Sequence, residues 1–259
     1  MPKLPVLFSA HGNPMNAIRD TPFTRFLSGY AQQLPKPRAL AVVSAHWESE
    51  EPAVIKSSKP GQLYDFYGFP KELYSVRYPA LGSPEVAAEV IQAFREAGIE
   101  AREENKRGLD HGVWSPLIKL YPKADIPVVQ VSLPRNSLAA VLTLGEGLSS
   151  LRERGILIIC SGNLVHNLGT ADFHRALGPA EDWALEFDAW VKKALLDGDR
   201  GELVSLKSAG TLARQAHPSP EHYAPLLAAV GAAGPGAKVS FPFEGFEHGT
   251  ISMRCVRFD

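Results

Sequence analysis

The chain has little cysteine: Cys160 and Cys255 are its only thiols in 259 residues, each near the end of an apolar run. Two such thiols do not make a disulfide framework or a thiolate zinc site, and they fit a reducing, cytoplasm-like compartment. A charge of one sign is missing too, because 27 basic residues face 28 acidic ones for a formal net charge of -1. Without a basic surplus, neither nucleic acid nor an anionic membrane surface is an expected partner, and small-molecule chemistry is the better expectation. No run approaches the ~20 apolar residues of a membrane span, and the opening MPKLPVLFSAHG has too few apolar residues for a signal peptide, so a soluble protein is expected. Also absent are the GxSxG elbow, the GxxxxGK[ST] loop and the GxGxxG fingerprint. Serine hydrolase, P-loop and standard dinucleotide chemistry therefore lack their defining parts.

Present instead are short apolar runs, LPVLF, ALAVVSA, IPVVQVSL and GILIICS, rich in Val, Ile and Leu at consecutive positions. Such runs are expected of parallel strands covered on both faces. Helical patterns lie between them. Ser83, Pro84 and Glu85 open VAAEVIQAFREAG with a cap, a first-turn proline and an acid, and Gly98 closes it. A second helix is read from Asn136 or Ser137 to about Arg154, stopped by Gly155, with Gly145 and Gly147 each weakening it by roughly 1 kcal/mol relative to alanine. A third covers about Ala180 to Leu196, and Ser219, Pro220 and Glu221 repeat the opening formula for a fourth. The tail, KVSFPF then GTISMRCVRF, reads as two strands around a turn, the second changing alternation phase between Cys255 and Val256 as at a bulge. With 45% hydrophobic residues and no internal repeat, residues 1–259 read as one domain. The expected fold is α/β, a three-layer α/β/α arrangement whose central sheet is mostly parallel and can carry a mixed edge.

Two of the apolar runs stop at the same tripeptide, Ser-Ala-His, which puts His11 and His46 at strand ends. Parallel strands converge at their carboxyl edge, where such folds bind ligands. The connection between them, roughly 30 residues, is what one strand-helix-strand unit occupies, so the two strands are expected to be parallel near neighbours. ILIIC runs into SGNLVHNLG, which puts His166 just past the same edge. His222 sits near the start of a helix, where the dipole favours a neutral, ligating imidazole. His111, in the loop GLDHGVWSP, balances between a structural and a catalytic role. His174 reads as a surface residue, His217 as a neighbour supporting the others, and His248 as a turn residue. Nitrogen donors without thiolates suit zinc, iron or another first-row ion, and no HExxH spacing decides among them. The carboxylate pairs Glu48 and Glu50, and Glu221 and Glu244, read as solvated surface acids. Tyr64, Phe66, Tyr67 and Phe69 are a candidate wall for a flat ring, balanced against loop packing.

SAHGNPMN, VVSAHWES, DFYGFPKELY, LDHGVWSPLIKLYP, IPVVQVSL, SGNLVHNL and PSPEHYAPLL follow one another from residue 9 to residue 227. In that order they resemble the 4,5-DOPA dioxygenase extradiol family, within the class III extradiol ring-cleaving dioxygenases. The resemblance implies a non-haem Fe(II) enzyme with His11, His46 and His222 as metal ligands. His166 would lie beside the metal as an acid/base group or a further ligand, and His111 would be a second acid/base or substrate-contacting group. This ligand set departs from the usual two histidines and one carboxylate, and Glu221 is the carboxylate that could serve instead of His222. The implied partners are a catechol and O2, with open metal positions for both and ring opening beside the diol. Zn(II) can occupy such a site in purified protein. A zinc hydrolase, or a metal-binding protein without catalysis, could use the same histidines.

Overall fold

Alternate residues of the apolar runs are buried on opposite sides, which is what makes a sheet with two covered faces. The computed structural model describes residues 3–135, 137–174 and 177–259. Its strands are β1 (Val6–Ala10), β2 (Ala39–Ser49), β3 (Ala53–Ile55), β4 (Arg102–Glu104), β5 (Val128–Pro134), β6 (Ile156–Gly162), β7 (Val239–Phe243), β8 (Phe246–Glu247), β9 (Ile251–Ser252) and β10 (Cys255–Phe258). Eight of them form one sheet in the order β4-β3-β5-β2-β6-β1-β10-β7, while β8 and β9 pair separately. The centre, β5-β2-β6-β1, is parallel throughout. Beyond it, β3 runs antiparallel to β5, β10 antiparallel to β1, and β7 antiparallel to β10, so both flanks are mixed.

The helices are α1 (Pro22–Tyr30), α2 (Lys71–Tyr74), α3 (Pro84–Glu96), α4 (His111–Leu120), α5 (Leu138–Leu148), α6 (Asp182–Asp197), α7 (Arg200–Ser205), α8 (Gly210–Ala216) and α9 (Ala224–Ala233). Val6, Phe8, Ala41, Val43, Ile158 and Cys160 face a core shared with α3 and α5 to α9. Leu7, Leu40, Val42, Leu157 and Ile159 face a second core with α1, α2 and α4. The result is the expected three-layer α/β/α fold.

β1 and β2 are parallel near neighbours, as expected, but not adjacent: between them lies β6, which pairs in parallel with both. Its seven residues are all buried, so it takes the position with two hydrogen-bonded neighbours and two covered faces.

Helix ends follow local chemistry. Ser83 Oγ accepts from Val86 N at 3.1 Å, and Gly98 closes α3 at φ +73°. Ser137 Oγ likewise caps α5, while Asn136, the alternative start, lies outside the described residues. α5 ends at Leu148 and tightens into a 3-10 turn over Ser149–Arg154 before Gly155. Ser219 makes no capping bond. Pro220–His222 is a separate 3-10 turn, and α9 starts only at Ala224. The tail does carry an irregularity, a register shift between Cys255 and Arg257 in the β10–β7 pairing.

Gly145, which weakens α5 as an isolated helix, is explained by packing. A Cβ there would lie 2.2 Å from the carbonyl oxygen of Ala228, so α5 and α9 approach through backbone. Gly145→Ala is expected to destabilise the protein by about 1–3 kcal/mol through overpacking. Urea unfolding should show this as a lower midpoint with an unchanged slope.

Candidate metal centre

The carboxyl edge of the central strands brings histidines together from five chain segments. His11 follows β1 directly, its backbone N bonded to Gly162 O at 3.2 Å. His46 lies inside β2, at an irregularity: Val43 pairs with Val131 but Glu48 with Leu133, so five steps along β2 oppose two along β5. The excess residues bulge out of the ladder and re-aim His46, as bulges beside functional sites do. His222 comes from the 3-10 turn, which is pressed against the end of β6. Asn163 N donates to His222 O at 2.9 Å, and a Cβ on Gly162 would lie 2.3 Å from that carbonyl oxygen. Glycine in SGN therefore admits the His222 turn.

His11, His46 and His222 each bring one nitrogen to within 4.8 Å of the others. The Nε2 atoms of His11 and His46 are 3.1 Å apart. Two nitrogens each about 2.1 Å from one ion are about 3 Å apart near a right angle, so this spacing fits a shared cation. The hydrogen bonds also fix tautomers. Ser161 Oγ donates its one proton to Gly112 O at 2.5 Å, so it accepts from His11 Nδ1 at 3.0 Å. His222 Nδ1 donates to the Glu221 carboxylate at 3.0 Å. Each ring is left with a lone pair on Nε2, the form a metal requires. Glu221 thus orients the His222 ring.

Electrostatics point the same way. Burial pushes His11 and His222 well below the ordinary histidine range, and the surrounding imidazoles push further. His46 is lowered by burial and then by His111. Burial also lowers His166, to about 4. All four are neutral at pH 7.

His166 stacks on His222 with ring centres 3.5 Å apart and planes 7° from parallel. Its segment is clamped on both sides, by His166 N to Ala216 O at 3.0 Å and by Ser252 N to Val165 O at 3.1 Å. His217 supports the same segment, its Nε2 donating to Leu164 O at 2.8 Å. His111 begins α4, with its ring centre 3.9 Å from that of His46. Its backbone N donates to Asp65 Oδ1 at 2.9 Å, and its Nδ1 lies 3.0 Å from the same oxygen, off the hydrogen-bonding direction. Burial raises the Asp65 carboxyl, but hydrogen bonding and attraction to His111 outweigh it and hold the group below the usual range.

The cluster floors a cavity of about 210 Å3 whose walls include Asn13, Pro14, Phe66, Phe69, Leu168, Phe173, His248 and Ile251. A larger hollow, about 360 Å3 around Leu196, Arg200 and Gly236, contains no histidine. The aromatic segment divides: Phe66 and Phe69 reach the cavity, Tyr64 Oη bonds Val76 O at 2.6 Å, and Tyr67 is 93% exposed. Glu50 is exposed and Glu244 pairs with Lys192 and Arg254; neither lines the cavity, whereas Glu48 is half-buried. His174 is exposed, as expected. His248 sits in a turn, as expected, and is also buried and lines the cavity. Asp65 and Ser161 were missed. Asp65 lies within the aromatic segment DFYGFP with no motif of its own, and nothing in the sequence marks Ser161 as the partner of His11.

Residues 5–258 match the family described as the catalytic LigB subunit of aromatic ring-opening dioxygenase. This chain belongs to the LigB family. A relative in Escherichia coli (strain K12), named 4,5-DOPA dioxygenase extradiol, is 39% identical over 98% of this chain and 94% of its own length. One of the same name in Beta vulgaris is 38% identical over 97% of this chain and 95% of its own. The crystal structure of an uncharacterized protein from Escherichia coli K12 superposes with a TM-score of 0.84 at 36% identity, covering 99% of this chain and all of that one. LigB extradiol dioxygenases are metal-dependent, and the histidine cluster is where this member of the family could hold its metal.

Two outcomes are expected. Ser161→Ala releases the His11 ring and should weaken metal binding about 10–100-fold, measured by competition with a chromophoric chelator. His217 is lowered to about 4 by burial, from an ordinary 6.5. Between those values the unfolded chain binds more protons, so stability is full above pH 6.5 and is lost as pH falls toward 4, by up to about 3 kcal/mol. Urea unfolding of metal-free protein across this window should show a shallower pH dependence for His217→Gln.

Proposed function

We propose that this chain is a single-domain, Fe(II)-dependent extradiol dioxygenase that opens the ring of a catechol with O2. The observation that carries the reading is the set of three neutral imidazoles gathered on a cavity floor, His11 and His222 buried with hydrogen bonds that leave their Nε2 lone pairs free, and half-buried His46 bringing its Nε2 within 3.1 Å of that of His11. Ferrous iron, when bound, supplies a redox-active Lewis acid with positions left for a diol and for dioxygen. The names of the relatives support this activity, and the donor set accepts iron and zinc alike, so zinc is the expected contaminant of purified protein by affinity order alone.

The chain's own residues do the rest. His11, His46 and His222 hold the ion. His166, neutral at pH 7 and fixed by its clamped segment, takes a proton from a catechol hydroxyl and later returns it. His111, held by Asp65, is the second proton-handling group at the other side of the cluster. Phe66 and Phe69 flank the flat ring and keep water from it. Among the described residues no helix is long and apolar enough to cross a membrane. A cytoplasmic setting is supported by two buried, unpaired thiols, Cys255 among them pushed up to about 11 by burial.

The test is anaerobic loading with Fe(II), then air and a panel of catechols. A yellow ring-opened product with matching oxygen uptake is expected; turnover of esters or amides with zinc, and of no catechol, makes the protein a hydrolase. His166→Ala should lower turnover about 10²–10⁴-fold while iron content stays near wild type. Loss of iron in that variant would make His166 a ligand instead.

A further inference from the structure

Besides the histidine cluster, the cavity wall carries one further buried imidazole. His248 is 2% exposed, and its Nδ1 lies 3.1 Å from the carbonyl oxygen of Asp172. A carbonyl only accepts, so Nδ1 carries the proton, and in the neutral ring Nε2 has only a lone pair. That atom is buried and has no hydrogen-bond partner among the described residues. The backbone is unusual too, with His248 at φ +55° and Gly249 at φ +76°. A side chain is disfavoured in that region, and such positions gather at ligand sites. Two backbone bonds hold it there, Asp172 N to His248 O and Glu181 N to Gly249 O, both at 3.0 Å. The neighbouring wall is apolar, from Phe66, Phe69, Phe173 and Ile251, and among the described residues no Lys or Arg lines it.

We propose that His248 is a specificity-determining residue whose Nε2 accepts a hydrogen bond from a hydroxyl or ammonium donor on the catechol's substituent, at the end remote from the diol. The proposal rests on the catechol reading above. It follows from the cost of leaving a buried acceptor unpaired: a substituent with a donor satisfies Nε2, a methyl group leaves it unsatisfied, and a carboxylate sets acceptor against acceptor.

The experiment is calorimetry on Fe(II)-loaded protein without O2. Four probes differ only at the 4-substituent: 4-methylcatechol, 4-(hydroxymethyl)catechol, 3,4-dihydroxybenzylamine and 3,4-dihydroxybenzoate. Wild type should bind the hydroxymethyl and aminomethyl probes at least about tenfold more tightly than the carboxylate. His248→Leu should remove most of their advantage over 4-methylcatechol while 4-methylcatechol itself changes less than about threefold. His248→Phe, a ring without the acceptor, is measured alongside, so a folding defect in one variant still leaves an answer. A uniform loss across all four probes, a donor advantage that survives both variants, or a wild-type preference for the carboxylate overturns the proposal. Oxygen uptake separates the two readings. The expected ranking in binding without ring opening refutes the dioxygenase and keeps the assignment to His248; ring opening with the reverse ranking does the opposite.

Discussion

Three lone pairs brought into one buried volume repel one another unless a cation lies between them. The structure depends on that constraint. His11, His46 and His222 are each prevented from ionising by burial, and two have their remaining N–H given to Ser161 and Glu221. A proton could bridge one pair of nitrogens. It could not satisfy three rings approaching from three segments, whereas a divalent ion would do so with the donor type it prefers.

The fold supplies what this arrangement requires. β1 and β6 end at the same edge, the irregularity in β2 turns His46 toward them, and the Pro220–His222 turn closes on the end of β6. Because the central strands are covered on both faces, small displacements of the nitrogens are resisted by the two cores. Beyond the rings lie supporting groups of a different kind: Asp65 for His111, and the Leu164–His217 contact for the segment carrying His166. Charge and hydrogen bonding thus fix orientation where packing fixes position.

The parts of this arrangement differ in how far the sequence reveals them. His11 was legible because a histidine that ends an apolar run lies at the sheet's edge, and His222 because its Ser-Pro-Glu prelude marks a helical start; the same pattern singles out His46, but β2 runs on to Ser49 and an irregularity within the strand, not its end, aims that ring. The bulge near Cys255 was legible from a slip in alternation. The position of β6 between β1 and β2 was not, since strand order depends on which run gains most from two covered faces. Nor were Ser161 and His248: Ser161 meets His11 across 150 positions, and His248 lines the cavity only after its turn is pinned by Asp172 and Glu181. Local pattern reports periodicity and chain direction, and is silent about contacts that exist only after packing.

The most direct measurement of the central claim is iron-edge X-ray absorption on protein loaded anaerobically with one equivalent of Fe(II). The account predicts a single class of iron with imidazole scattering from about three histidines at about 2.1 Å. A spectrum without imidazole, with oxygen donors alone, would contradict it.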